Sequence, residues 1–221
     1  MKLVYPEISH VFDTSVCRIN TLVIESSALM LALLNDIAGQ LQGADGKCVL
    51  SEDGKEVPIS KNMELLANFV PFEINTKALL SKLAGALEKR AVTEYYLESA
   101  ELLGNIEQFF FKVSQDFNCY LDFSKISMSS LVKALGVEFC DSYDSLGEKI
   151  CDYFELVQEF DRKKLFVTFN LRTFMDDEEF EKFAETVIMH QYNLVMIENK
   201  EYTRSSRELR YIVDADLCEI Q

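Results

Sequence analysis

Two apolar runs in the last quarter of the chain, LFVTFN at 165–170 and NLVMIE at 193–198, leave few folds open. Neither alternates between apolar and polar residues, so each needs cover on both faces, as strands of a parallel sheet do. Between them lies an acidic, periodic stretch that reads as a helix of about four turns. Two apolar strands joined by a helix form a parallel βαβ crossover. A third buried strand is expected in VCRINTLVIES at 16–26, dense in β-branched and apolar residues. Ser26 or Ser27 then caps a helix whose apolar positions Leu29, Met30, Leu33, Leu34, Ile37 and Leu41 recur every three or four residues, with Gly43 as its stop. The strands of one sheet thus come from both ends of the chain, and the fold class is α/β.

The middle of the chain is mostly helical. KCVLSEDGKEVPIS at 47–60 reads as a hairpin turning at Asp53 and Gly54 and limited by Pro58. After an apolar run at 64–70, Asn75 or Thr76 opens a helix through Arg90. A long helix is expected over 93–117 on Tyr96, Leu103, Ile106, Phe110 and Val113. Phe109, Phe110 and Phe111 make it apolar all round there, so it needs partners on more than one side. A shorter helix at 124–135 ends at Gly136, a strand follows at 137–140, and 143–160 is an acidic amphipathic helix. The expected organisation is an α/β head from 1–92 and 162–221, with 93–161 inserted as a helical extension.

No apolar segment follows Met1 and Lys2, and the longest apolar run, at 28–34, stops at Asn35 and Asp36. Neither a signal peptide nor a membrane span is therefore expected. Six cysteines without a CxxC read as reduced core residues of a cytoplasmic protein. His10 and His190 have no His or Cys at ligand spacing, which leaves zinc without its usual donors.

Phosphate chemistry has little support. No GxxxxGK[ST] occurs, SSALM follows the first buried strand, and the strand at 165–170 closes on Asn170 rather than an acid. Nucleophile signatures such as GxSxG are missing, and Asp176, Asp177, Glu178 and Glu179 stand where the first turn of a helix favours acids. A metal-dependent phosphotransferase or nuclease built on those four acids is the weakest of the readings. Hard cations have candidate oxygen donors in Asp116 and Asp122, which flank an aromatic turn, and in Glu138, Asp141 and Asp144 around the next one, without the spacing of an EF-hand.

A net charge of −15 would repel a nucleic-acid backbone if it were evenly spread. It is not. Acids concentrate at 94–107, 141–161 and 176–185, while bases gather at 77–90, 162–164 and 200–210. Lys82 and Lys89 fall on one helical stripe with Arg90 beside it, Lys77 stands at that helix's start, and Lys125 and Lys133 occupy one quadrant of the next helix. Without aromatic residues among them, duplex backbone contact suits these lysines better than single-strand stacking.

Three stretches resemble the DNA-end-binding adaptation proteins of type II-A CRISPR systems. They are LVYPEISHVF followed by INTLVIES; ELLANFVPFEINTKALLSKLAGALEKR, with its turn at Phe72 to Asn75; and LVKALGVEF taken with KKLFVTFN and RYIVDADLCEI. The resemblance implies a head related to P-loop folds without ATPase residues, a helical extension, and a non-enzymatic homotetrameric ring. It also implies calcium-stabilised assembly and a lysine-lined hole for double-stranded DNA ends, taken without reading sequence. The expected role is spacer acquisition in antiviral defence, beside the CRISPR integrase complex and the guide-directed effector nuclease. Lys77, Lys82, Lys89, Lys125 and Lys133 are the expected DNA-binding residues, and Asp116, Asp122, Glu138 and Asp141 the expected calcium ligands. Where the family carries a denser acidic stretch, CYLDFSKIS at 119–127 keeps Asp122 alone. The competing expectation is an acidic α/β scaffold that binds proteins only, descended from a P-loop fold that lost its nucleotide site.

Overall fold

A computed structural model describes residues 1–220. By its contacts the chain divides into two units, Met1–Glu73 with Ser142–Gln221, and Ile74–Asp141. These boundaries differ from the expected 92/93 and 161/162, because the helix at 77–93 groups with the helical unit and the one at 146–161 with the α/β unit.

The first unit opens with β1 (Lys2–Val4), β2 (Phe12–Asp13), β3 (Ile19–Ile24) and α1 (Ser27–Leu41), then β4 (Val49–Glu52), β5 (Lys55–Glu56), the single turn α2 (Ile59–Asn62) and β6 (Met63–Leu66). The second unit holds α3 (Lys77–Thr93), α4 (Tyr96–Ser114) and α5 (Met128–Leu135). The chain then returns through α6 (Leu146–Asp161), β7 (Leu165–Phe169), a 3-10 turn at Leu171–Phe174, α7 (Asp177–Met189), β8 (Leu194–Glu198), β9 (Glu208–Val213) and β10 (Glu219–Ile220).

The main sheet runs β10-β9-β3-β8-β7-β6, parallel except for β10. Every residue of β3 and β8 is buried, which is why both read as unbroken apolar runs. One face carries Leu22, Ile24, Val167, Val195 and Ile197 against Leu29, Met30, Leu33 and Ile37 of α1. The small antiparallel sheet β2-β1-β4-β5 adds Leu3, Phe12 and Leu50 to the same core. On the opposite face Phe154 of α6 stacks on Phe166 of β7 at 3.9 Å, with Phe183 of α7 and Tyr192 around it. Side chains buried this fully contribute about 2–3 kcal/mol each by transfer from water.

Ser26 caps α1 as expected, its hydroxyl accepting from Leu29 N–H. Other expectations shift. Residues 137–140 form no strand. The helix expected from 124 begins only at Met128, because Ser127 is the cap, its Oγ accepting from Ser130 N–H at 3.2 Å. Among the described residues no cysteine forms a disulfide, but only Cys48 and Cys151 are core residues, while Cys119, Cys140 and Cys218 are exposed. His10 and His190 each stack on a tyrosine, Tyr211 and Tyr192. Among the described residues no helix is long and apolar enough to cross a membrane.

Candidate nucleic-acid interface

The helical unit holds seven of the lysines and arginines against nine acids, while the α/β unit holds fifteen against twenty-eight. Nearly all of the net negative charge therefore belongs to the α/β unit, and a phosphate backbone meets less repulsion at the helical one.

In that unit Thr76 starts α3 by accepting from Leu79 N–H at 3.3 Å, and Gly136 ends α5 in the left-handed conformation, φ +61°. Asn75 ties the two ends together. Its Nδ2 donates to Phe139 O at 3.0 Å, and its Oδ1 accepts from Phe139 N–H at 2.9 Å. Between α3 and α5 runs an open groove of about 650 Å³ whose floor includes Leu80, Ala84 and Val132. Lys77 from α3 and Lys133 from α5 both line it.

The five expected lysines are all exposed, but they do not converge on one place. Lys77 and Lys133 share the groove; Lys82 and Lys89 follow another stripe of α3. Lys125 precedes α5 instead of riding on it, so its expected helical quadrant with Lys133 does not exist. It lines a second groove of about 1070 Å³ together with Phe110, Phe111, Lys112 and Phe123. Lys112 escaped the sequence reading because it follows three phenylalanines and suggests no basic cluster.

Asp116, Asp122, Glu138 and Asp141 lie outside the helices, the first three exposed to solvent along with Asp141. Among the described residues no three His, Cys, Asp or Glu side chains come together as a metal site. As they stand in one chain, the four acids do not gather at one point the six to eight oxygen ligands that calcium takes. The acids at 176–179 have structural partners: Asp176 caps α7 by accepting from Glu179 N–H at 2.8 Å, and Asp177 pairs with buried Arg172. Glu178 pairs with Lys182, and Glu179 accepts from Gly147 N–H.

Helix α4 is the other anomaly. None of its nineteen residues is buried, and Tyr96, Leu97, Phe109, Phe110 and Phe111 are each more than half exposed. Apolar area on this scale outside a core marks an interaction surface.

An α/β unit built round a parallel sheet is interrupted in sequence by a helical unit with lysine-lined grooves, and comparison places the chain among the CRISPR-associated proteins. Residues 40–217 match the family described as CRISPR-associated protein (Cas_Csn2). The chain belongs to this family. It is 21% identical over 152 residues to the CRISPR-associated protein Csn2 of Enterococcus faecalis, covering 68% of each chain. Among solved structures, a putative ABC transporter ATP-binding protein from Pyrococcus furiosus aligns over 95% of this chain and 94% of its own. Its identity of 12% and TM-score of 0.37 make the likeness too distant to carry an argument.

Proposed function

We propose that this protein is a non-enzymatic adaptation subunit that binds ends of double-stranded DNA without sequence preference during spacer acquisition, as a homotetrameric ring. The observation that carries the reading is the groove between α3 and α5, where Lys77 and Lys133 from separate helices flank one apolar floor in the unit with little net charge. Lysines supply point charges to phosphates and read no bases, so affinity falls steeply with salt and varies little with sequence. Family membership supports the CRISPR setting, with the integrase complex and the guide-directed effector nuclease as partners.

Self-assembly draws support from α4, whose uncovered phenylalanines call for a partner surface. In the ring reading that partner is a second copy, and closure confines the apolar area to interfaces. Calcium, if it stabilises the ring, takes part of its oxygen shell from a neighbouring copy, since one chain brings no cluster together.

The excess of twenty-eight acids over fifteen bases in the α/β unit favours a second reading, a scaffold that binds basic protein partners only. Binding to linear and covalently closed circular duplexes of one sequence, at two salt concentrations, with calcium or chelator, separates the two. Salt-sensitive binding to the linear form alone supports a ring threaded from DNA ends, and no binding to either form leaves the scaffold.

A further inference from the structure

Strands β8 and β9 both pair in parallel with β3, yet residues 199–207 between them contain no helix. Parallel strands are ordinarily connected by a dozen residues or more, usually including a helix. Nine residues returning as an irregular strap must find partners for their own backbone groups. Side chains provide them. Arg210 donates to Tyr202 O at 2.6 Å and to Thr203 O at 3.3 Å, and Arg172 donates to the same Thr203 carbonyl at 3.5 Å. Ser205 N–H donates to Glu208 at 3.1 Å, and Asn199 N–H to Asn170 Oδ1 at 3.0 Å. The Tyr202 hydroxyl lies 2.9 Å from Thr173 Oγ1, and Arg207 pairs with Glu181 of α7 at 2.6 Å.

A strap fastened at so many points has little freedom left, so the fold sets where its outward side chains stand. Those include Lys200 and Arg204, both exposed. Neither forms an ion pair among the described residues, although the unit around them is rich in acids and Arg172, Arg207, Arg210 and Lys182 each have a carboxylate. Lys200 Nζ lies 5.0 Å from the centroid of the Tyr202 ring, an aromatic contact that helps orient the ammonium without neutralising it.

We propose that Lys200 and Arg204 make a second phosphate-backbone contact for duplex DNA, on the α/β unit and additional to the groove between α3 and α5. The inference rests on the DNA-binding reading above. Ordering two long side chains at binding carries an entropic cost, and a fixed strap lowers the part owed by the backbone. An arginine fork and a lysine ammonium both suit phosphate oxygens and select no base sequence.

The test is equilibrium binding of a linear duplex from 50 to 200 mM salt. It compares the unaltered chain, Lys200→Ala with Arg204→Ala, the charge-preserving Lys200→Arg with Arg204→Lys, and Lys77→Ala with Lys133→Ala. Loss of two phosphate contacts lowers the slope of log K against log salt by about 1.8 for each chain in contact. The expected result is that fall for the strap alanines and a retained slope for the charge-preserving pair. If the strap alanines keep slope and affinity while the groove alanines lose them, the strap inference is overturned and the DNA-binding reading stands. If the unaltered chain binds no duplex at all, both are overturned.

Discussion

Asn75 and Phe139, sixty-four positions apart in sequence, exchange two hydrogen bonds through the Asn75 amide, one donated and one accepted. A side chain thereby substitutes for a strand partner at residues the sequence marked as a strand. Because Asn75 also lines the groove that holds Lys77 and Lys133, the amide fixes the groove as well as the chain. Asn75→Ala removes both of these hydrogen bonds and is expected to cost about 1–3 kcal/mol locally. Amide hydrogen exchange should speed up at 137–140, and duplex affinity should fall although no charge has changed. Unchanged exchange at Phe139 would count against the bracing role.

Removing the groove charges isolates the electrostatic part. Lys77→Ala with Lys133→Ala is expected to weaken binding to all duplex sequences alike and to lower the salt slope by about 1.8 per contacting chain. A variant whose loss depends on base sequence would point to readout of base edges instead.

Phe110→Asp and Phe111→Asp place charges on a surface already exposed in the single chain, 51% and 61% respectively. The fold of one chain should shift by no more than about 0.5 kcal/mol, as surface substitutions usually do. The assembly should instead dissociate, seen as a fall in mass by sedimentation at micromolar protein. Retained mass would remove α4 from the interface.

Glu198 is wholly buried at the end of β8, its Oε1 accepting from Arg172 N–H at 3.2 Å while its Oε2 has no partner. Burial, only partly opposed by that N–H and the Arg172 charge, pushes its carboxyl from the ordinary 4.5 up to about 7. The folded chain thus holds this proton more tightly than the unfolded one. The stability it contributes is fully present below about pH 4.5 and is lost as pH rises to about 7. Glu198→Gln abolishes the titration. Urea unfolding at pH 5 and pH 8 should show the variant gaining on the unaltered chain by about 2–3 kcal/mol toward the higher pH. Parallel behaviour of the two chains would refute the assignment.

The sheet was legible because β3, β7 and β8 are buried on both faces and advertise it as apolar runs. Strand β9 reads as a strand but hides which of its faces is buried. Its sequence ELRYIV puts charges at alternate positions, the mark of a solvent face, yet Glu208 and Arg210 are buried and Leu209 is 37% exposed. The inversion follows from the strap, whose carbonyls at Tyr202 and Thr203 accept from the Arg210 guanidinium, information that lies seven and eight residues away rather than in the strand's own periodicity. The acidic surface of α6 suggested a helix of the extension, but its other face sends Phe154 onto Phe166. At the candidate site, Ser124 and Ser127 are equally good caps by composition, and the choice of Ser127 takes Lys125 off the helix. The α3–α5 groove depends on Asn75 meeting Phe139, a long-range contact that no local spacing announces.

β3 pairs with β8 on one side and β9 on the other, so both neighbours of this N-terminal strand come from the end of the chain. During synthesis at about 5–20 residues per second, β3 waits roughly 10–35 s for its first partner to be translated. Throughout that interval an apolar strand of six residues has two open edges, the condition under which nascent chains associate wrongly. Ribosome-associated chaperones, and the pace of translation through the helical unit, therefore act on this chain before its finished core can cover β3.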